Sequence, residues 1–142
     1  MATGFTTTLA PATSDSTGDA FGLGEIGQIA VPVADVERAV AFYRDTLGMR
    51  FLFQAPPGLA FFDAGGVRLM LDGSAAAQAG RGAAIYYRVP ELEAAVATLT
   101  RRGVAFEAAP HLVARMPDHE LWMAFLRDPD GNLIALMSEV RQ

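Results

Sequence analysis

A chain of 142 residues, 51% of them hydrophobic, holds enough apolar material for one substantial core. Its net charge of -5, with basic residues scattered so that only Arg101 and Arg102 are adjacent, argues against nucleic acid and anionic membranes as partners. The absence of cysteine removes disulfides, thiolate metal sites and a cysteine nucleophile, leaving His, carboxylates and Tyr for chemistry.

Residues 1 to 22, rich in Thr, Ser, Ala and Gly, lack the basic start and continuous apolar region of a secretory signal, so a disordered N-terminal tail is expected there. No apolar run reaches bilayer-crossing length, and the protein is expected to be cytoplasmic. A single domain over 23–142 is anticipated. Its first segment, Ile26 to Val33, is β-branched and apolar and predicts a strand. Asp35 is placed to cap a following helix, in which Val36, Ala39, Val40 and Tyr43 share one face. Met49 to Phe53, Leu59 to Asp63 and Val67 to Leu71 then read as strands, separated by Pro56-Pro57-Gly58 and Ala64-Gly65-Gly66 turns.

Residues 73–82 are small and Gly/Ala-rich, which suits a linker. After them the pattern restarts: Ala84 to Val89 is a predicted strand, and a helix follows with Leu92, Ala95, Val96 and Leu99 on one face and Gly103 at its end. Val33 matches Val89, Asp35 matches Glu91, Val36 matches Leu92 and Val40 matches Val96, all at an offset of 56. The chain is therefore a duplication, with repeat one at about 26–72 and repeat two at about 83–139. Gly66 matches Gly131 at an offset of 65, so the second copy carries roughly nine extra residues. The expected place for them is a long loop, Pro110 to His119, which contains both histidines of the protein.

The last stretch runs from Asp128 to Glu139. Pro129, Asp130 and Gly131 supply turn chemistry between two apolar, strand-length runs, Leu121 to Leu126 and Leu133 to Met137, and the unit reads as a hairpin. The hairpin, the duplicated βαβββ order and the helix segment Asp35-Val36-Glu37-Arg38-Ala39-Val40-Ala41-Phe42-Tyr43 together resemble the vicinal oxygen chelate superfamily, which includes glyoxalase I, extradiol dioxygenases and the fosfomycin and bleomycin resistance proteins. The resemblance implies an α+β fold in which two βαβββ repeats form a cupped mixed sheet, commonly completed as a homodimer, with a small molecule in the cup.

The enzymes of that family hold a divalent ion with a His or Gln on the first strand of each copy and a Glu on the last. Carried over, those positions are Gln28, Met70, Ala84 and Ala135. Of the four only Gln28 offers an oxygen, whereas a catalytic divalent ion needs two or three protein ligands. The resemblance therefore implies a bleomycin resistance-like protein with no metal and no cofactor, binding a hydrophobic or planar molecule. The alternative is a metal-dependent lyase, isomerase or dioxygenase-type enzyme with a relocated site at His111, His119 and Glu120, or a metal-free reaction with His119 as general base.

Strand alternation selects the lining. Tyr86 and Arg88 share the face of Ala84, and Phe125, Met123, Leu121 and His119 share a face of the strand before the turn. Gln28, Met70 and Met137 join them, and Arg115 is expected at the rim, where similar proteins place a basic residue. Tyr86 offers stacking and a hydroxyl, Arg88 a partner for a carboxylate, and the methionines an adaptable wall. Trp122 falls on the opposite face. Phe61 and Phe62 are adjacent, so one faces each way, and alternation alone does not say which.

Overall fold

The computed structural model describes residues 20–141. The tail expected over 1–22 lies outside these except for residues 20–22, which are exposed. Strand β1 (Gln28–Pro32) leads through Asp35 into helix α1 (Val36–Ala41). The Asp35 carboxylate accepts from the backbone N–H groups of Glu37 and Arg38, at 3.0 and 3.2 Å, and so satisfies two of the donors a helix start leaves open. The helix widens into a π-helical turn at Phe42–Thr46 and stops at Gly48, whose φ of 75° suits glycine. Strands β2 (Arg50–Ala55), β3 (Leu59–Ala64) and β4 (Val67–Asp72) complete the first module. A short 3-10 segment, Gly73–Gln78, occupies the expected linker.

The second module repeats the order: β5 (Ile85–Arg88), α2 (Leu92–Arg101), β6 (His111–Arg115), β7 (His119–Arg127) and β8 (Leu133–Arg141). Each module makes a four-stranded mixed sheet, ordered β1-β4-β3-β2 and β5-β8-β7-β6. In each sheet the first and last strands of the module pair in parallel and the rest antiparallel, so the architecture is the α+β duplication that the sequence pattern implies.

One face of each sheet is covered by its helix. Val31, Phe62, Leu69 and Leu71 of the first sheet are buried with Ala39 and Val40 of α1 and Tyr43 of the π-helical turn that continues it, and Ala124, Leu126, Ile134 and Leu136 of the second with Leu92 and Leu99 of α2. Both sets belong to one core cluster, so the two modules fold against each other. Phe62 is the residue of its pair that faces this core, and Phe61 lies on the other face.

The hairpin turn seals the junction between the modules. Buried Asp128 accepts the backbone N–H groups of Asp130 and Asn132 on one oxygen, and the Tyr43 hydroxyl and the Asn132 side chain on the other. Asn132 also donates to the Pro32 carbonyl at 3.0 Å, while Asp130 accepts from Ala34 N–H and pairs with Arg38 at 2.8 Å.

The long loop expected from Pro110 to His119 is not there. His111–Arg115 is strand β6, Met116 to Asp118 turn, and β7 already begins at His119. The extra residues lengthen β7 and β8 to nine residues each, against six in β3 and β4, and β6 pairs along that extension. An isolated bridge from Phe106 to Leu126 occupies the place that Phe51 and Phe62 fill in the first module. Among the described residues no helix is long and apolar enough to cross a membrane.

Candidate functional site

Strand pairing fixes which side chains share the faces turned away from the helices. On the first sheet Ala30 stands opposite Met70, Met70 opposite Phe61, and Phe61 opposite Phe53, giving one row across four strands. On the second sheet Tyr86 stands opposite Ala135, and Ala135 opposite Phe125. The rows are equivalent by the duplication, but bulk is placed differently. The first sheet has a small residue on its first strand and a thioether on its last, whereas the second has an aromatic ring on its first strand and a methyl on its last.

That exchange shapes the second face. Ala135 is fully buried, while Tyr86 is 49% exposed. The Tyr86 and Phe125 rings stand edge to face, 6.4 Å apart at 84°, on either side of the Ala135 strand. The His111 ring lies against the other flank of Phe125 at 5.9 Å and 30°. The three rings form an aromatic shelf in which Tyr86 stands across the more nearly parallel Phe125 and His111, so a flat molecule can stack on one ring plane and meet the other edge to face. The next row carries Arg88, Met137, Met123 and the His111 backbone position, adding thioethers and one guanidinium. Arg88 makes only a loose contact with Glu139, at 3.9 Å between exposed groups, so its charge remains available to a ligand.

The first face holds a second aromatic patch. Phe53 stacks on Phe61 at 4.7 Å and 25°, and the Arg68 guanidinium lies 5.7 Å from the Phe61 ring centre. Beyond that row Gln28, Arg68, Asp63 and Arg50 stand opposite one another in turn. Gln28 reaches diagonally to Met70, its Nε2 lying 3.7 Å from the sulfur.

Tyr86, Arg88, Met123, Phe125 and Met137 are thus brought together as the sequence pattern implies, and Gln28 and Met70 meet on the other sheet. Arg115 is not at this face: its Nε donates to Glu120 at 3.2 Å, and Glu120 also accepts from Trp122, which packs toward α2. The reason is that Arg115 belongs to a strand, and strand alternation turns it to the helix side. His119 shares the parity of Phe125 but stands six residues away, on the order of 20 Å along an extended strand. There its Nδ1 lies 2.7 Å from Asp118, whose carboxyl it holds below the usual range by that hydrogen bond. His111, expected only as a metal ligand, joins the shelf, while Phe61, left open against Phe62, lies with Phe53 and Arg68 on the outer face of the first sheet. Only the position of β6 and the parity of β3 reveal them.

The residues at the family's metal-ligand positions do not fit a divalent ion. They are an amide that contacts a thioether, a methyl just ahead of β5 and a methyl buried beneath two rings. The relocated trio does not assemble either: His111 lies on Phe125, His119 on Asp118, and Glu120 on Arg115 and Trp122. Among the described residues no three His, Asp or Glu side chains converge as a metal site would require.

Comparison with known proteins bears on the family and the fold. A model of the Glyoxalase/Bleomycin resistance protein/Dioxygenase superfamily matches residues 25–136. A glyoxylase-like domain-containing protein of Didymella fabae is 30% identical over 128 residues, spanning 80% of this chain and 92% of that one. Among solved structures, TnmS3, an antibiotic binding protein from Streptomyces sp. CB03234, superposes with a TM-score of 0.64 at 24% identity, covering 84% of this chain and 98% of its own. Lactoylglutathione lyase from Agrobacterium tumefaciens superposes with a TM-score of 0.64 at 22% identity, covering 82% and 94%.

Proposed function

From the premise that this chain belongs to the glyoxalase/bleomycin resistance protein/dioxygenase superfamily, we propose that it is a metal-independent binding protein for a small, planar, largely apolar molecule. The observation that carries the reading is the shelf of Tyr86, Phe125 and His111 built over Ala135, where a metal-binding family member would project a carboxylate. Stacking and thioether contacts supply affinity on such a surface, and Arg88 supplies a contact for an anionic substituent. The antibiotic-binding relative TnmS3 makes planar antibiotics the first ligands to try. The second cup wall, with Phe53, Phe61 and Arg68, offers a matching surface for the other side of a ligand in a homodimer.

The test is a thermal-shift and titration panel of planar antibiotics and aromatic metabolites, run on protein as purified and after chelation, with elemental analysis of the same sample. The expected result is a ligand that raises the melting temperature equally in both samples and loses affinity about tenfold on Phe125→Ala. A stoichiometric metal whose removal abolishes binding overturns the proposal. An absence of any stabilising ligand removes its support.

A further inference from the structure

A cavity of about 500 Å³ opens on the helix side of the second sheet, the opposite face from the aromatic shelf. Its walls come from both modules: Leu47 and Met49 from the corner after α1, Ala95 and Leu99 from α2, and Val89 and Leu136 from the sheet. The volume lies within the range of small-molecule sites. Leu99 and Leu136 are buried, so the floor is interior.

The cavity follows α2 from Glu91 before its first residue to Arg102 after its last. That helix has ten residues, so the two ends are about 15 Å apart. The space is long and its walls are mostly aliphatic, with Tyr87 and Thr98 along it and Arg88, Glu91 and Arg102 toward its ends, which suits an extended alkyl chain better than a stacked ring. Arg102 stands at one end. One of its nitrogens donates to the Thr46 carbonyl at 2.8 Å, and among the described residues no carboxylate lies within ion-pairing distance of it. Its remaining N–H donors are free for an anion. The helix end contributes about half a negative charge there, which the full charges of Arg101 and Arg102 outweigh. At the far end Glu91 and Arg88 carry opposite charges, so that end offers an anion no net attraction and the head group is directed to Arg102. Tyr87 adds a buried hydroxyl with no hydrogen-bond partner.

We propose that this cavity is a second ligand site, separate from the shelf, for an aliphatic monocarboxylate whose chain lies along α2 and whose carboxylate pairs with Arg102. The site does not depend on the function proposed for the shelf.

Titrating the full chain with decanoate and decanol, read by thermal shift and calorimetry, tests this. Decanoate is expected to raise the melting temperature, with affinity falling at least tenfold on Arg102→Gln and largely restored in Arg102→Lys. Decanol binding is expected to be indifferent to Arg102→Gln. Ala95→Leu, which fills the channel, should weaken both probes, and Ala94→Phe repeats the test should the first variant fold poorly. Tyr86→Ala and Phe125→Ala should leave decanoate binding unchanged. The site is refuted if decanoate fails to bind, if it binds equally well to Arg102→Gln and the filled variants, or if Phe125→Ala abolishes it. It is refuted equally if light scattering shows that filling the channel splits a dimer while decanoate binding persists, because a second copy then covers this surface.

Discussion

The Tyr43 hydroxyl donates to the Asp128 carboxylate at 2.8 Å across the boundary between the modules, joining the first helix to the turn of the last hairpin. Asp128 is buried and accepts three further hydrogen bonds, all from its own turn, so Tyr43 is the one donor that ties that turn to α1 through this carboxylate. Removing a partner from a buried charged acceptor leaves it under-solvated, which costs about 1–3 kcal/mol. Tyr43→Phe is therefore expected to lower unfolding free energy by that amount in urea, with the denaturant slope unchanged. Asn132→Ala should act on the same network, so the double variant should fall short of the sum of the two single effects.

Alkaline pH should weaken the same region. Burial first, then the nearby Asp128 carboxylate, pushes the Tyr87 hydroxyl up to about 12, and the same two influences raise Tyr43. The folded state thus keeps these phenols protonated where the unfolded chain releases the proton, near pH 10. Their stabilising contribution is complete below about pH 10 and declines as pH rises above it, for Tyr87 through about 12. Melting temperature measured from pH 8 upward should hold level and then fall beyond about pH 10. Because the Tyr87 hydroxyl has no partner, Tyr87→Phe is expected to be neutral or stabilising by up to about 1 kcal/mol and to shallow that alkaline decline.

Gly80 holds the linker against the hairpin turn. Its N–H donates to the Asn132 side chain at 3.1 Å, its φ is +81°, and a Cβ there would stand 2.6 Å from the Asp130 carbonyl oxygen. Both the backbone conformation and the space exclude a side chain. Gly80→Ala should cost about 1–3 kcal/mol in chemical denaturation. Gly65→Ala, where φ is +67° but no atom lies within 4 Å of the added carbon, should cost less.

How much of this was legible in the sequence follows from what is local. The Asp35 cap and the burial of Ala39, Val40 and Tyr43 follow from helical spacing, and alternation placed Tyr86, Met123, Phe125 and Met137 on one face. Strand β6 was not legible. His111–Arg115 is a short run set between Pro110 and Pro117, and what makes it a strand is the unpaired edge of an extended β7. Reading it as a loop misplaced Arg115 at the rim and left His111 off the shelf. The helix-side cavity has no sequence signature, because its walls are distant in the chain and meet only through the packing of two modules.

The family positions themselves supply the last prediction. Ala135 is buried between Tyr86 and Phe125, so Ala135→Glu must displace rings and bury a charge. It should destabilise the protein by about 2–4 kcal/mol, seen as a fall in melting temperature. If Gln28, Met70, Ala84 and Ala135 are the four positions that ring the metal in similar proteins, adding Met70→Glu and Ala84→His to Ala135→Glu restores the full donor set around Gln28. Zinc at micromolar concentration should then raise the melting temperature of the triple variant, because an ion that binds only the folded chain stabilises it by mass action. The unmodified protein should show no such shift. An equal response to zinc in both proteins would mean that an intact ion site exists on other side chains, and the shelf would have to be reinterpreted as its surroundings.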